Sequence, residues 1–292
     1  MFKTLVVALD LEPDGDRALR VVQALARTGP VRVDLVTVSS PGMPTASDAY
    51  ELQKRADQFG WGPGSWSILQ DVDAAGALVQ HAARCEDALL VMATSARRPW
   101  TSSMFDTTTR DVLRQSERPV LLVGPQVGWT YQPPCTTLVP CIDASDAAAR
   151  AVPAIVAWQQ TFISPAPQLA EVVPVSADPT AAERRLQTMA ELLAAQHVHV
   201  DRRIVHDDDP VTGLEILTSR VAGPVYVATS ARYTDGRLHW HSTTQQLIHR
   251  ATCPVLIVPA RPASEPVRAL PVERLERVPF LDSTLPAAPT AS

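Results

Sequence analysis

Cysteine is scarce in this chain of 292 residues: Cys85, Cys135, Cys141 and Cys253 are its four, and no two of them form a C-x-x-C pair. Neither a disulfide framework nor a zinc site is therefore expected, and no residue is assigned as a metal ligand. Positive charge is not in excess, since 26 Lys and Arg face 31 Asp and Glu for a formal charge of -5. Without a basic field to attract a phosphate backbone, nucleic acid is excluded as an expected partner. Long apolar runs are missing as well. The longest, Ala88 to Ala93, falls far short of the ~20 residues that cross a bilayer. The apolar stretch after Lys3 ends at Asp10, too soon for a secretory signal. No membrane partner and a cytoplasmic location are the expectations. Neither a Gly-Lys-Ser/Thr phosphate loop nor a Gly-x-Ser-x-Gly elbow occurs, so no catalytic residue is assigned and the chain is not read as an enzyme.

What the chain does have is internal repetition. Its hydrophobic share of 46% and charged share of 20% are ordinary for a folded protein, and its length predicts about two domains. The pentapeptide Ala93-Thr94-Ser95-Ala96-Arg97 recurs unchanged as Ala228-Thr229-Ser230-Ala231-Arg232, 135 positions on. At the same offset Pro119 to Val123 matches Pro254 to Val258, and Thr107 to Thr109 matches Ser242 to Thr244. Leu9-Asp10 corresponds to Ile142-Asp143. Such self-similarity divides the chain into a first domain at 1–125, a linker at 126–137 carrying Trp129 and Tyr131, and a second domain at 138–260. The remainder, 261–292, is rich in Pro and Ala, which blocks long helices and central strands and predicts a mobile tail.

Within each repeat, short apolar runs alternate with segments of helical period, so both domains are expected to be α/β, doubly wound around a parallel sheet. In the first, Thr4–Leu9, Val33–Val38, Ser67–Gln70, Ala88–Met92 and Val120–Val123 read as strands. Asp14 reads as the cap that opens the first helix and Gly29 as the residue that ends it. In the second domain, Thr180 and Glu183 have the spacing of a capping box, followed by a buried stripe of Leu186, Met189, Ala190 and Leu193. The acidic run Asp207 to Asp209 reads as a solvated loop.

Ligands of open parallel sheets bind beyond the carboxyl ends of the strands, where the strand order reverses. That rule selects Asp10 and Asp143 after the first strands, and Ala93 to Arg97 and Ala228 to Arg232 after the fourth. Thr107 and Ser242 would open the last helices, whose free N–H groups favour an anion. On these residues, from Met1 to about Ala260, the chain resembles a tandem universal stress protein. That family's nucleotide-binding members carry Gly-x-x-Gly, nine residues, then Gly-Ser or Gly-Thr. This chain keeps the spacing and not the glycines: Ala93, Ala96 and Asp106 precede Thr107, while Ala228, Ala231 and His241 precede Ser242.

The resemblance implies two domains of the adenine nucleotide alpha hydrolase-like type, with ATP or AMP as the implied ligand. Its contacts would come from Asp10, Ala93, Ala96, Arg97 and Thr107 in one half, and from Asp143, Ala228, Ala231, Arg232, His241 and Ser242 in the other. The departures act against this. Alanine adds a Cβ where backbone must approach phosphate, and the Asp106 carboxylate repels it, so the second domain is the better candidate. Each residue also has a plain structural reading: Asp106 as an N-cap, Arg97 and Arg232 as solvated charges, Asp10 and Asp143 as turn caps. Two functions follow, a stress-associated regulator that binds an adenine nucleotide weakly in its second domain, or a degenerate scaffold that binds an unknown protein partner. The resemblance further implies that the last strands, Val120–Val123 and Val255–Val258, pair within the one chain.

Overall fold

A computed structural model describes residues 1–12, 15–62, 64–94, 107–128, 135–142, 148–219, 221, 223–229, 232–234, 237–239 and 242–259. The first half runs β1 (Thr4–Ala8), α1 (Asp16–Ala26), β2 (Arg32–Ser39), α2 (Ala46–Phe59), β3 (Trp66–Gln70), α3 (Ala74–Arg84), β4 (Ala88–Ala93), α4 (Thr107–Gln115) and β5 (Val120–Val123). The second runs β6 (Thr137–Pro140), a 3-10 turn at Ala148–Ala151, α5 (Val152–Thr161), β7 (Gln168–Val173), α6 (Thr180–Ala194), β8 (Asp201–His206), α7 (Pro210–Thr218) and β9 (Pro224–Thr229). It closes with β10 (Arg232–Thr234), β11 (Arg237–His239), α8 (Ser242–Arg250) and β12 (Val255–Val258).

Eight strands form one sheet in the order β3-β2-β1-β4-β5-β12-β9-β6. In this sheet neighbours within each half are parallel, and its one antiparallel contact joins the halves, with Leu121 of β5 opposite Leu256 of β12. The parallel pair β7-β8 continues the second half, linked to β6 by a bridge between Cys141 and Ala170. Each half thus repeats the same order about its own first strand, and the last strands pair within the chain as the resemblance implied.

The strands are apolar on both faces because both are covered. Leu5 and Val7, Leu89 and Val91, Leu121 and Val123, and Leu256 and Val258 face a core completed by α1, α2, α5 and α6. The alternate residues Val6, Leu90, Leu122 and Ile257 face a second core under α3, α4, α7 and α8. Each core runs across both halves without interruption.

Two glycines mark where the halves touch. A Cβ on Gly29 would lie 2.4 Å from the Thr161 carbonyl oxygen, and one on Gly124 would lie 2.1 Å from that of Ile248. Around Gly29, the Phe2 amide donates to Thr161 Oγ1 at 2.6 Å and the Ile163 amide to the Thr28 carbonyl at 2.8 Å. Gly29 was expected to end α1, yet the helix stops at Ala26 with Arg27 in right-handed conformation. Close backbone approach, not a left-handed cap, is what glycine supplies at that position.

One local reading is corrected in the second half, and another gains detail. The cap of α6 is not the Thr180–Glu183 box, because Thr180 already lies inside the helix and Asp178 accepts from both its amide and its hydroxyl. The acidic run is a loop, as expected, and within it Asp209 caps α7 through the Val211 amide and pairs with Arg250 of α8 at 2.6 Å. That pairing, with the Thr212 hydroxyl, draws the Asp209 carboxyl down to about 2. Asp14, Trp129, Tyr131 and the whole tail lie outside the described residues. Among the described residues no helix is long and apolar enough to cross a membrane.

Because the atom facing Gly124 is backbone and cannot rotate away, Gly124→Ala is expected to cost about 1 to 3 kcal/mol. Urea denaturation followed by circular dichroism reads this as a lower midpoint; an unchanged midpoint would show that the halves do not approach at Gly124.

Candidate functional site

The order 3-2-1-4-5 reverses direction between β1 and β4, so the crevice beyond their carboxyl ends is the first half's ligand position. Asp10 stands there, exposed, one residue past Leu9. Its carboxylate is turned into its own loop, where Oδ1 accepts the Glu12 amide at 3.0 Å. A Cβ on Gly15 would lie only 2.8 Å from that same oxygen. The loop is further held by Arg55 of α2, whose guanidinium reaches the Leu11 carbonyl at 3.0 Å and Asp16 at 2.8 Å. Burial alone would lower the Arg55 pKa, but Asp16 and Glu51 outweigh it and raise it above its ordinary value.

Across the crevice, Ala93 is half-buried and Thr94 buried, with the Thr94 amide bonded to the Val123 carbonyl at 2.9 Å. The Thr94 hydroxyl is buried without a hydrogen-bond partner among the described residues. Beneath it the buried Arg17 brings Nη2 to 3.5 Å from the Thr94 carbonyl oxygen. Thr107 is the exposed first residue of α4. Ala96, Arg97 and Asp106 lie outside the described residues.

In the second half the equivalent crevice lies between β6 and β9. Beyond β6, the amides of Cys141 and Ile142 bond to the carbonyls of Val227 and Ala170 at 2.8 and 2.7 Å. Ala228 is buried on β9, and Ser242 is the first residue of α8. Asp143, Ala231 and His241 lie outside the described residues. The connection from β9 to α8 contains the antiparallel hairpin β10–β11, with Arg232 opposite His239 and Thr234 opposite Arg237. The missed signal is the dipeptide Asp235-Gly236, which stands between those strands and is the residue pair favoured by two-residue hairpin turns.

A third group of side chains escaped sequence reasoning. At the opposite, amino-terminal edge of the first half, Asp34 near the start of β2 meets His81 and Cys85 at the end of α3. His81 Nε2 lies 2.7 Å from Asp34 Oδ2, and a carboxylate oxygen, an imidazole nitrogen and the thiol sulfur all fall within 4.8 Å of one another. Burial pulls the imidazolium pKa down, but hydrogen bonds to Asp34 and Cys85 overcome it and push His81 up to about 9. The only sequence trace is a His and a Cys four residues apart at the end of a helical segment.

The family model described as the universal stress protein family matches residues 1–124 and again 136–259. Among solved structures, a universal stress protein from Archaeoglobus fulgidus DSM 4304 is similar at 15% identity, covering 88% of this chain and 98% of that one, with a TM-score of 0.59. A functionally unknown protein from Pseudomonas aeruginosa PAO1 is similar at 14% identity over 88% of this chain and 92% of that one, TM-score 0.55. At such identities the likeness is one of fold. No curated protein matches the chain in sequence.

The raised His81 pKa fixes a pH dependence. The stabilisation is complete below the unfolded value of 6.5 and is lost as pH rises through about 9, amounting at most to about 3 kcal/mol. In chelator-treated protein the urea midpoint is expected to fall between these values, and His81→Gln is expected to flatten that slope. A wild-type midpoint that stays level from pH 6.5 to 9.5 would contradict the assignment.

Proposed function

Because the chain belongs to the universal stress protein family across both of its halves, we propose that it is a non-catalytic, stress-associated regulatory protein of the cytoplasm that acts through protein contacts. In this reading it holds no adenine nucleotide in its phosphate-loop segments. The observation that carries it is the β10–β11 hairpin, which forms within the nine-residue spacer between Ala231 and His241. Pairing across the hairpin commits amides of that spacer to one another, so they do not turn toward an anion. The residues at the glycine positions support the same reading. Ala228 is buried and Ala93 half-buried in their strands, each with a Cβ that glycine would lack. In the first half the Asp10 carboxylate, the group the resemblance places near a nucleoside, is occupied by the Glu12 amide.

A second reading, a regulator that responds to ATP or AMP, is favoured by two features of the first half. Asp10 and Thr107 are both exposed, one beyond the carboxyl end of β1 and the other opening α4. An exposed helix start offers unpaired N–H groups to an anion.

Calorimetric titration of ATP and of AMP with Mg²⁺, into the wild-type chain, Asp143→Ala and Asp106→Gly, separates the two. No saturable heat at millimolar nucleotide in wild type, with binding gained by Asp106→Gly, is the expected result. Binding in the wild type that is abolished by Asp143→Ala would overturn the proposal and establish a working nucleotide site in the second half.

A further inference from the structure

We propose that Asp34, His81 and Cys85 form a binding site for one divalent transition-metal ion of the zinc class, at the edge of the sheet away from the ligand crevice. The donor set is the first argument. One carboxylate oxygen, one imidazole nitrogen and one thiol sulfur suit zinc or a similar borderline ion, while a single oxygen donor is too few for calcium or magnesium.

Geometry is the second. Ligand atoms around a tetrahedral ion with bonds of about 2.0–2.3 Å stand about 3.3–3.8 Å apart. Here one pair is 2.7 Å apart and no pair exceeds 4.8 Å, so shifts of about 1 Å or less bring all three to that spacing. The donors also sit on fixed backbone. Asp34 lies within β2, opposite Val6 of the neighbouring β1. His81 and Cys85 are one turn apart, tied by the Cys85 amide donating to the His81 carbonyl at 3.2 Å. Rigid elements hold a ligand constellation better than loops do.

The surroundings are the third argument. Ser67 of β3 donates its hydroxyl to Asp34 Oδ1 at 3.1 Å, which orients the carboxylate and leaves Oδ2 facing His81, the kind of outer support that metal ligands need. His81 is buried while Asp34 and Cys85 are half-buried, so an ion can enter and water can complete its coordination as a fourth ligand. The carboxyl end of α3 favours positive charge. Arg118 already shows this, donating to the carbonyls of Ala82, Ala83 and Cys85. Its guanidinium lies on the carbonyl side of Cys85, so backbone oxygens rather than the three donors take up its hydrogen bonds.

The test uses the full-length chain, reduced and stripped with chelator, titrated with Co²⁺ as a spectroscopic stand-in for Zn²⁺. One equivalent is expected to give a thiolate-to-cobalt charge-transfer band with ligand-field bands of tetrahedral intensity, all bleached by added Zn²⁺. Cys85→Ser is expected to lose the charge-transfer band, and Asp34→Asn to weaken Co²⁺ binding by tenfold or more. As a second readout, Zn²⁺ is expected to raise the Tm of the wild type and to leave that of Cys85→Ser unchanged, while metal-free Tm values report whether each variant folds. Absence of the band in the wild type, or its persistence in Cys85→Ser, would overturn the proposal and leave the trio a hydrogen-bonded cluster. Neither result bears on the nucleotide titration, which reads the other edge of the sheet.

Discussion

The antiparallel pairing of β5 with β12 is the contact on which the rest of the molecule depends. Both strands are four apolar residues, fully buried on both faces, and either one left at a sheet edge would expose its N–H and C=O groups beside hydrophobic surface. Joining them removes both edges at once, turns two sheets into one, and lets each helical layer share a continuous core across the join. The outermost strands are then β3 and β8, and β8 begins Asp-Arg-Arg with all three residues exposed, charges that discourage further strand addition. A repeat that would otherwise need a second copy of itself finds that copy later in the same chain.

That join also explains two glycines whose local conformation is unremarkable for any residue. Gly29 and Gly124 do not adopt left-handed backbone; each leaves room for a carbonyl of the other half. Their requirement comes from sequence positions more than 100 residues away, which no turn or helix rule registers.

The two halves have diverged in what their carboxyl edges do. In the first, Asp10, Arg55 and Asp16 brace the segment between β1 and α1. In the second, part of the connection after β9 has become strand, although the same pentapeptide starts at the end of β4 and at the end of β9. The context after the repeat differs: Tyr233-Thr234-Asp235-Gly236-Arg237-Leu238 offers strand formers around a turn dipeptide. Chemistry in the first half therefore concentrates at two opposite edges of the sheet, the crevice above β1 and β4 and the trio of Asp34, His81 and Cys85 below.

Most of the fold was legible in the sequence, because continuous apolar runs such as Leu89 to Met92 and helical stripes such as Leu186, Met189 and Leu193 are local patterns set by the periods of strand and helix. The internal repeat added the pairing of the last strands through family resemblance. Local capping was harder to read, since Pro179 rather than Thr180 stands at the N-cap of α6, with Asp178 accepting from the Thr180 amide, and one position separates the two caps. The candidate crevice could be placed from strand order, but whether Asp10 faces a ligand or its own Glu12 amide depends on a side-chain torsion that residue identity leaves free. Least legible was the cluster of Asp34, His81 and Cys85, whose first member stands 47 residues from the second. Sequence alone determined which segments become strands and helices, because hydrophobic period acts between near neighbours. Only tertiary structure decided which distant carbonyls, carboxylates and thiols meet, because those distances are set by how the sheet orders its strands.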